Sequence, residues 1–395
     1  MSNHACVESN RRAFLRSALA ASTFLATART AQPLAFAAGH KVERTFAPVK
    51  VSRDRLIREV VGLRPYRAEG FVVDAERLGE KLLIHNYGHG GAGITLSWGT
   101  ASLAVALARG FVGTRTARPQ RGLRSAQRRF AVLGCGVNGL STARLLQRSF
   151  QDGPGTVTIY ARDLPPDTTS NIAGGFWLPT SLYEPEAVSA KFVEQFRQAC
   201  RISNRAFQLL VGPEYGVRWI DTFDLYGNEA EFTSELPGGN DLYPEHKVHR
   251  DAKHYFGAPY VRQYSTMLIE PSIYLNALLR DFYIAGGKLV VKEFRSREEI
   301  ARLPEPVIFN CAGLGARALF GDKKLGPVRG QLEVLLPQAE IDYCYLGDGY
   351  MFPRRDGIIL GGTFDHDDWS LEPKPEQTTQ ILEAHVGIMK GLKSL

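Results

Sequence analysis

The chain has 395 residues, 44% hydrophobic and 23% charged, with 39 Gly and a formal net charge of +7. At about 150 residues per domain this gives two or three domains, and it excludes a disordered chain, a collagen-like fibre and a small disulfide scaffold. No run approaches the roughly 18 uninterrupted apolar residues of a membrane span, so a soluble body without a stable membrane anchor is expected.

Residues 10–16 read NRRAFLR, and an Ala-rich stretch follows from Ser17 to Ala28. Paired Arg11 and Arg12 before a weakly apolar region resemble a twin-arginine export signal. Ala35-Phe36-Ala37 has the small-x-small pattern of a cleavage site, so 1–37 reads as a signal leading to the bacterial periplasm. An ordinary Ala-rich amphipathic helix or a transit peptide is the alternative. That export route carries folded, cofactor-loaded proteins, so a bound cofactor is expected. The five cysteines show no CxxC or Cys/His spacing, so no disulfide framework and no metal site are indicated. Cys135 and Cys311 sit beside glycines and read as buried, inert thiols.

Three blocks follow. The first, 38–111, ends in HNYGHGGAGITLSWG (85–99) and a helical pattern over 94–109. Residues 112–129 (VGTRTARPQRGLRSAQRR) contain six Arg and no acid, and read as a linker. This segment lacks interleaved aromatics and any recognition motif, so nucleic-acid binding is not expected. Together with the four Arg and one acid of 1–37, it carries more positive charge than the whole chain, which leaves a mildly acidic body. The third block, 130–395, opens with FAVLGCGVNGLSTARLL (130–146), where Gly134, Gly136 and Gly139 lie between an apolar strand and a helix through Ser149. The first glycine makes a tight turn, the second lets the backbone approach a pyrophosphate, and the third brings helix against strand. With Val137 and Asn138 they place the pyrophosphate on the helix N-terminus, where N–H groups and the dipole favour anions. A second strand, Thr156–Ala161, completes a βαβ unit. At its end Arg162 precedes Asp163, and Asp163 reads either as a ribose ligand or as a solvated ion pair. A further helix is expected around Ala187–Leu210.

Several segments together resemble the D-amino-acid oxidase family of flavoproteins: GLRPYR (62–67), HNYGHGGAGITLSWG (85–99), TTSNIAGGFWLP (168–179), VIFNCAGLGARAL (307–319), GPVRGQLEVL (326–335) and YMFPRRDGIILGGTFDHDDWS (350–370). In that family the first two come last. The order here implies a circular permutant, in which 38–111 is the relocated C-terminal part and 112–129 joins the old ends. Such rearrangement is tolerated where old termini are close at the surface; a misassembled reading frame is the alternative. The resemblance implies an α/β fold: an FAD-binding Rossmann-like domain and a substrate domain with a mixed or antiparallel sheet, both discontinuous in sequence.

The implied activity is FAD-dependent oxidative deamination of a D-amino acid, with oxygen as acceptor and 2-oxo acid, ammonia and hydrogen peroxide as products. By the same resemblance Arg64 binds the substrate carboxylate, Tyr350 hydrogen-bonds it, and the Gly91 carbonyl accepts from the substrate amine. A guanidinium fork suits a carboxylate because two parallel charge-assisted bonds set both position and orientation. Gly90, Gly91, Gly93, Ile94 and Thr95 border the flavin, as do Gly174, Gly175 and Gly313, while Thr168, Thr169 and Ser170 lie near its ribityl and phosphate groups. Arg67 reads as structural or as supporting Arg64. His85 and His89 read as structural histidines, because hydride transfer from a neutral amine needs no protein base. The family's lid tyrosine is replaced by Leu346, next to Tyr345, which leaves the lid and the substrate range open. Arg354, Arg355 and Asp356 read as a hairpin turn. A homodimer is compatible with this reading. The alternatives are a dehydrogenase passing electrons to a quinone or carrier, and a non-catalytic flavin-binding protein.

Overall fold

A computed structural model describes residues 45–114, 129–149, 156–229, 235–250, 252 and 256–392. The export-signal reading and all but the ends of the linker reading lie outside these residues.

Two mixed sheets organise the described chain. The smaller runs β2 (Val72–Leu78), β3 (Lys81–Tyr87), β10 (Val307–Asn310), β4 (Arg129–Leu133), β5 (Thr156–Ala161) and β9 (Lys288–Val291). It is parallel except for the β2–β3 pair. All four residues of β10 and four of the five in β4 are buried, the continuous apolar run of central parallel strands. The larger sheet runs β1 (Leu56–Tyr66), β11 (Gly326–Leu335), β14 (Gly357–Gly361), β13 (Tyr350–Arg354), β12 (Tyr343–Leu346), β6 (Val217–Tyr226), β8 (Tyr260–Ile269) and β7 (Lys247–Arg250), with β15 (Asp365–His366) also on β11. Its pairs are antiparallel except β6–β12.

The helices are α1 (Gly93–Thr114), α2 (Val137–Ser149), α3 (Thr169–Ile172), α4 (Ala190–Gln208), α5 (Pro271–Ile284), α6 (Arg297–Ala301), α7 (Gly315–Phe320) and α8 (Pro375–Gly391). The strands at 129–133 and 156–161, helix α2 and helix α4 fall where the sequence pattern puts them. Helix α1 runs five residues past the expected Arg109, since no proline intervenes before Pro119, and Arg129 opens β4. The ends of the expected linker are therefore regular structure. Residues 90–109 are long and apolar enough to cross a membrane. Here α1 is instead a core helix packed on α2, α4 and β3, with Leu96, Ala101, Ala104 and Ala108 fully buried. Its small residues let the neighbouring helices approach: a Cβ on Gly99 would collide with the Ala199 backbone.

Both sheets draw strands from either side of residues 115–128. β1 supplies an edge of the large sheet and β3 an interior strand of the small one. One hydrophobic core joins Phe71, Ile84 and Leu96 to Val132, Leu140 and Phe309.

Candidate active site

The glycine fingerprint is a crowded corner between β4, α2 and β10. Gly134 has φ +101°, and a Cβ there would meet the Cys311 carbonyl at 2.5 Å. A Cβ on Gly139 would collide with the Gly134 carbonyl. These two positions therefore require glycine, one for its conformation and one for the close approach of α2 to the turn. The backbone N–H of Val137, at the start of α2, donates to Ser170 Oγ at 3.0 Å, and a Cβ on Gly136 would lie 3.2 Å from the same hydroxyl. The TTS loop thus sits on the fingerprint, steadied by the Thr168 hydroxyl donating to Asn171 Oδ1 (2.7 Å), with Thr169 opening α3. Gly313, φ +55°, leaves open space where a side chain would be.

Asn138 supplies an orphaned polar atom. Its Nδ2 donates to His89 Nδ1 (3.1 Å), while its Oδ1 is buried without a partner. His89 in turn faces Thr100 Oγ1 through Nε2 (3.0 Å), and the Thr100 hydroxyl donates to the Leu96 carbonyl (3.2 Å). That chain of donors makes His89 the Nε2–H tautomer and turns the Asn138 amide so that its acceptor is left over. Burial drives the His89 pKa down to about 3, so the ring stays neutral, stacked on Phe71. It is a structural histidine, and its role in aiming Asn138 was not apparent in the sequence.

From the fingerprint, residues 168–175 run to the large sheet. Ser170 touches α2, Ile172 lies 3.1 Å from where a Gly62 Cβ would be, and a Cβ on Gly174 would press on Phe352 (2.8 Å) and approach Tyr350 (3.8 Å). Gly175, φ +83°, receives the Ile269 N–H on its carbonyl at 2.6 Å. The glycine turn before α1 meets the same run. Gly91 donates its N–H to the Ser181 carbonyl (2.8 Å), a Cβ on Gly90 would lie 2.5 Å from that oxygen, and the Thr95 hydroxyl donates to the Phe176 carbonyl (3.2 Å). Gly93 faces Asn138, and Ile94 is buried. Ser181 carries no sequence motif and is found only through this contact.

At the far end of the run, Arg64 and Tyr350 bracket residues 361–364. Arg64 Nη1 donates to the Thr363 carbonyl (3.1 Å), and its guanidinium sits 5.5 Å from the Phe364 ring centroid and directly over Gly330. Among the described residues no carboxylate lies within ion-pair distance of this half-buried cation. The Tyr350 ring lies over Gly361, on which a Cβ would be 2.5 Å from the phenol oxygen, and stacks on Phe352 (4.9 Å between centroids). The Tyr350 hydroxyl has no hydrogen-bond partner among the described residues.

The remaining expected residues fall elsewhere. Asp163 takes a bidentate pair from Arg162, which also reaches Glu293, and all three are exposed. The structure thus places Asp163 in the solvated-pair arrangement. His85 is held by Glu76 (3.2 Å) and Asn310 (3.1 Å), its pKa lowered by burial. Arg67 is structural, paired with Asp322 at 2.9 Å. Tyr345 is fully buried on the opposite face of the large sheet from Tyr350, bonded to His385 at 2.6 Å, so it forms no lid. Arg354 and Asp356 pair across the β13–β14 turn. Burial pushes the Cys135 and Cys311 thiols up to about 12, as inert thiols require.

A family model for FAD-dependent oxidoreductases, the DAO family, matches residues 129–394. The chain belongs to this family. A D-amino acid oxidase of Dugesia ryukyuensis is 28% identical over 67% of this chain and 78% of its own length. A human D-aspartate oxidase is 30% identical over 64% and 74%, and a D-amino-acid oxidase of Rubrobacter xylanophilus 32% over 64% and 75%. The protein is therefore an FAD-dependent oxidoreductase. Its residues fit the cofactor: the fingerprint glycines clear an approach to α2, Asn138 offers an unused acceptor beside it, and 168–175 lines a path towards Arg64. Gly134, Gly136, Val137, Ser170 and Asn138 would hold the nucleotide side, and Gly90–Thr95, Gly174 and Gly175 the ring side.

Proposed function

We propose that the protein oxidatively deaminates D-amino acids, with Arg64 as the carboxylate anchor. The observation that carries this is the guanidinium itself: partly removed from water, bonded to one carbonyl, and without an acid among the described residues. A cation in that position favours an anionic ligand, and the planar fork suits a carboxylate. FAD, when bound, would supply the two-electron acceptor for the Cα hydride and the route of those electrons to oxygen, so that the amino acid would become an imino acid that hydrolyses to 2-oxo acid and ammonia. The chain's part is orientation. Arg64, steadied on Thr363, grips the carboxylate; the free Tyr350 hydroxyl donates a second bond to it. The Gly91 carbonyl, whose own N–H is occupied by Ser181, accepts from the amine. His89 is unsuited to act as a base, since it is buried, bonded at both nitrogens and holds a proton poorly.

Anaerobic bleaching of the yellow protein by a panel of D- and L-amino acids, glycine and sarcosine tests this reading. D-isomers are expected to bleach it and to yield peroxide in air. Bleaching by L-isomers alone, or by none, refutes it; dye reduction without peroxide points to another electron acceptor.

The proposal includes a circular permutation. In support, β1, β2 and β3 all precede the family match yet complete both sheets, while about a quarter of each relative lies outside the matched length. The ends also meet: the Val49 N–H lies 3.2 Å from Met389 Sδ, and Phe46, Val51 and Leu392 share one apolar cluster. A gene reordered to place 129–392 before 45–114 is expected to give the same flavoprotein; an insoluble or colourless product counts against it. The proposal also includes export to the periplasm through residues 1–37. Replacing Arg11 and Arg12 by Lys should leave the protein uncleaved in the cytoplasm.

A further inference from the structure

The backbone at Gly361, on which Tyr350 rests, is held from behind by a group outside every segment that suggested the site. His385 lies on α8 and is fully buried. Its Nε2 faces the Gly361 carbonyl at 3.1 Å, and its Nδ1 faces the Tyr345 hydroxyl at 2.6 Å. A carbonyl can only accept, so Nε2 carries the proton and Tyr345 donates to Nδ1. The ring fits because position 349 is glycine: a Cβ there would lie 2.7 Å from His385 Nε2 and 2.8 Å from the Gly361 carbonyl.

Gly361 is thus clamped between an imidazole on one face of the sheet and a phenol on the other. Tyr350 and Gly361 are direct partners across β13–β14. Two residues on, the Thr363 carbonyl receives Arg64, and Thr363 Oγ1 accepts from the Gln331 N–H (2.9 Å). One short segment therefore sets both groups assigned to the carboxylate. Helix α8 is itself fastened to β11: the buried Arg329 and Gln331 side chains reach Gln377, Thr378 and the carbonyls of Glu372 and Lys374. Helix α8 thus backs the clamp, and the imidazole's hydrogen bonds go to Tyr345 and Gly361, not to Arg64 or Tyr350.

We infer that His385 is a positioning residue for substrate-carboxylate binding, acting through the Gly361 carbonyl to fix the segment between Tyr350 and Arg64. The inference rests on the amino-acid reading of the site. Burial lowers the His385 pKa to about 4, in keeping with a permanently neutral ring.

The test uses the full-length, FAD-loaded protein. It measures the Kd for acetate and propionate from the flavin absorbance change, KM and kcat with the best D-amino acid, and flavin content. His385→Phe keeps a ring of similar volume and removes both bonds; His385→Gln retains a donor for Gly361; Tyr345→Phe removes only the hydroxyl behind the ring. In H385F both Kd and KM are expected to rise about tenfold, with kcat within about twofold and flavin content unchanged. H385Q should return to within about threefold of the wild type, and Y345F should raise KM and Kd about threefold. Wild-type constants in H385F overturn the inference, as does a loss of kcat or flavin with KM unchanged. Should H385F fail to fold, wild-type constants in Y345F overturn it. If the wild type binds no carboxylate and is bleached by no amino acid, the functional reading itself falls. Carboxylate binding that is insensitive to His385 sinks only the clamp.

Discussion

Gly330 offers a way to disturb Arg64 without touching its charge. It lies on β11 in register with Gly62, and the Arg64 guanidinium lies flat across it. A Cβ at position 330 would sit 2.5 Å from Arg64 Cζ, well under the 3.4 Å of an ordinary contact. The obstructing atoms are the far end of a flexible side chain, so in Gly330→Ala the arginine moves and the strand stays. The guanidinium must withdraw by about 1 Å, and a misplacement of that size at a reacting centre costs about 100-fold, or ~2.7 kcal/mol. Stability should hold or rise by about 0.5 kcal/mol, because alanine narrows the unfolded ensemble at a position with ordinary strand backbone. The assay is stopped-flow anaerobic flavin reduction against substrate concentration, alongside thermal unfolding. G330A should lose about 100-fold in kcat/KM with Tm unchanged. In an R64A background the same substitution should add nothing, since the group it displaces is gone. A wild-type kcat/KM in G330A, or a further loss in the double variant, refutes the assignment of Arg64.

Gly139→Ala should release flavin, because α2 must back away from the Gly134 carbonyl; the ratio of visible to ultraviolet absorbance of purified protein reads it, and full occupancy refutes the close-approach argument. Asn138→Ala removes a buried acceptor left over at the fingerprint, and is expected to weaken FAD binding about tenfold in apoprotein titrations; unchanged affinity would show that this oxygen does not face the cofactor. His89 and His385 are both harder to protonate folded (pKa about 3 and about 4) than unfolded (about 6.5), so below pH 6.5 the unfolded chain binds more protons. Stability is thus full above that pH and falls towards pH 4 by up to about 2.7 kcal/mol per pH unit for the two. Urea unfolding of the holoprotein between pH 7 and 5 measures this slope, and H385Q should remove one proton's share.

What the sequence could and could not disclose divides along a physical line. Chain-local features were readable. The βαβ unit follows from a buried apolar run, three glycines at set spacing and a helical period, and the strands and helix appear at 129–133, 137–149 and 156–161. Arg64 and Tyr350 were readable because they sit in distinctive strings. The contacts that make a site of them were not, because they join separate elements: Arg64 with Thr363, 299 positions away, and with Gly330, and His385 with Tyr345 and Gly361, 40 and 24 positions away on other elements. Asn138 shows the intermediate case. Its position after the second glycine marked it as near the cofactor, yet which end of its amide faces outward is decided by His89, and that choice by Thr100 and Leu96. Glycine is the residue for which this division is sharpest. Gly134 and Gly139 are glycine for reasons within their own motif. Gly330, Gly349 and Gly361 are glycine because Arg64, His385 and Tyr350 arrive from elsewhere in the chain to occupy the missing side chain's space. Two sheet glycines, Gly330 and Gly361, and Gly349 in the turn between β12 and β13 thus outline the proposed carboxylate site, and they do so only once the strands are paired.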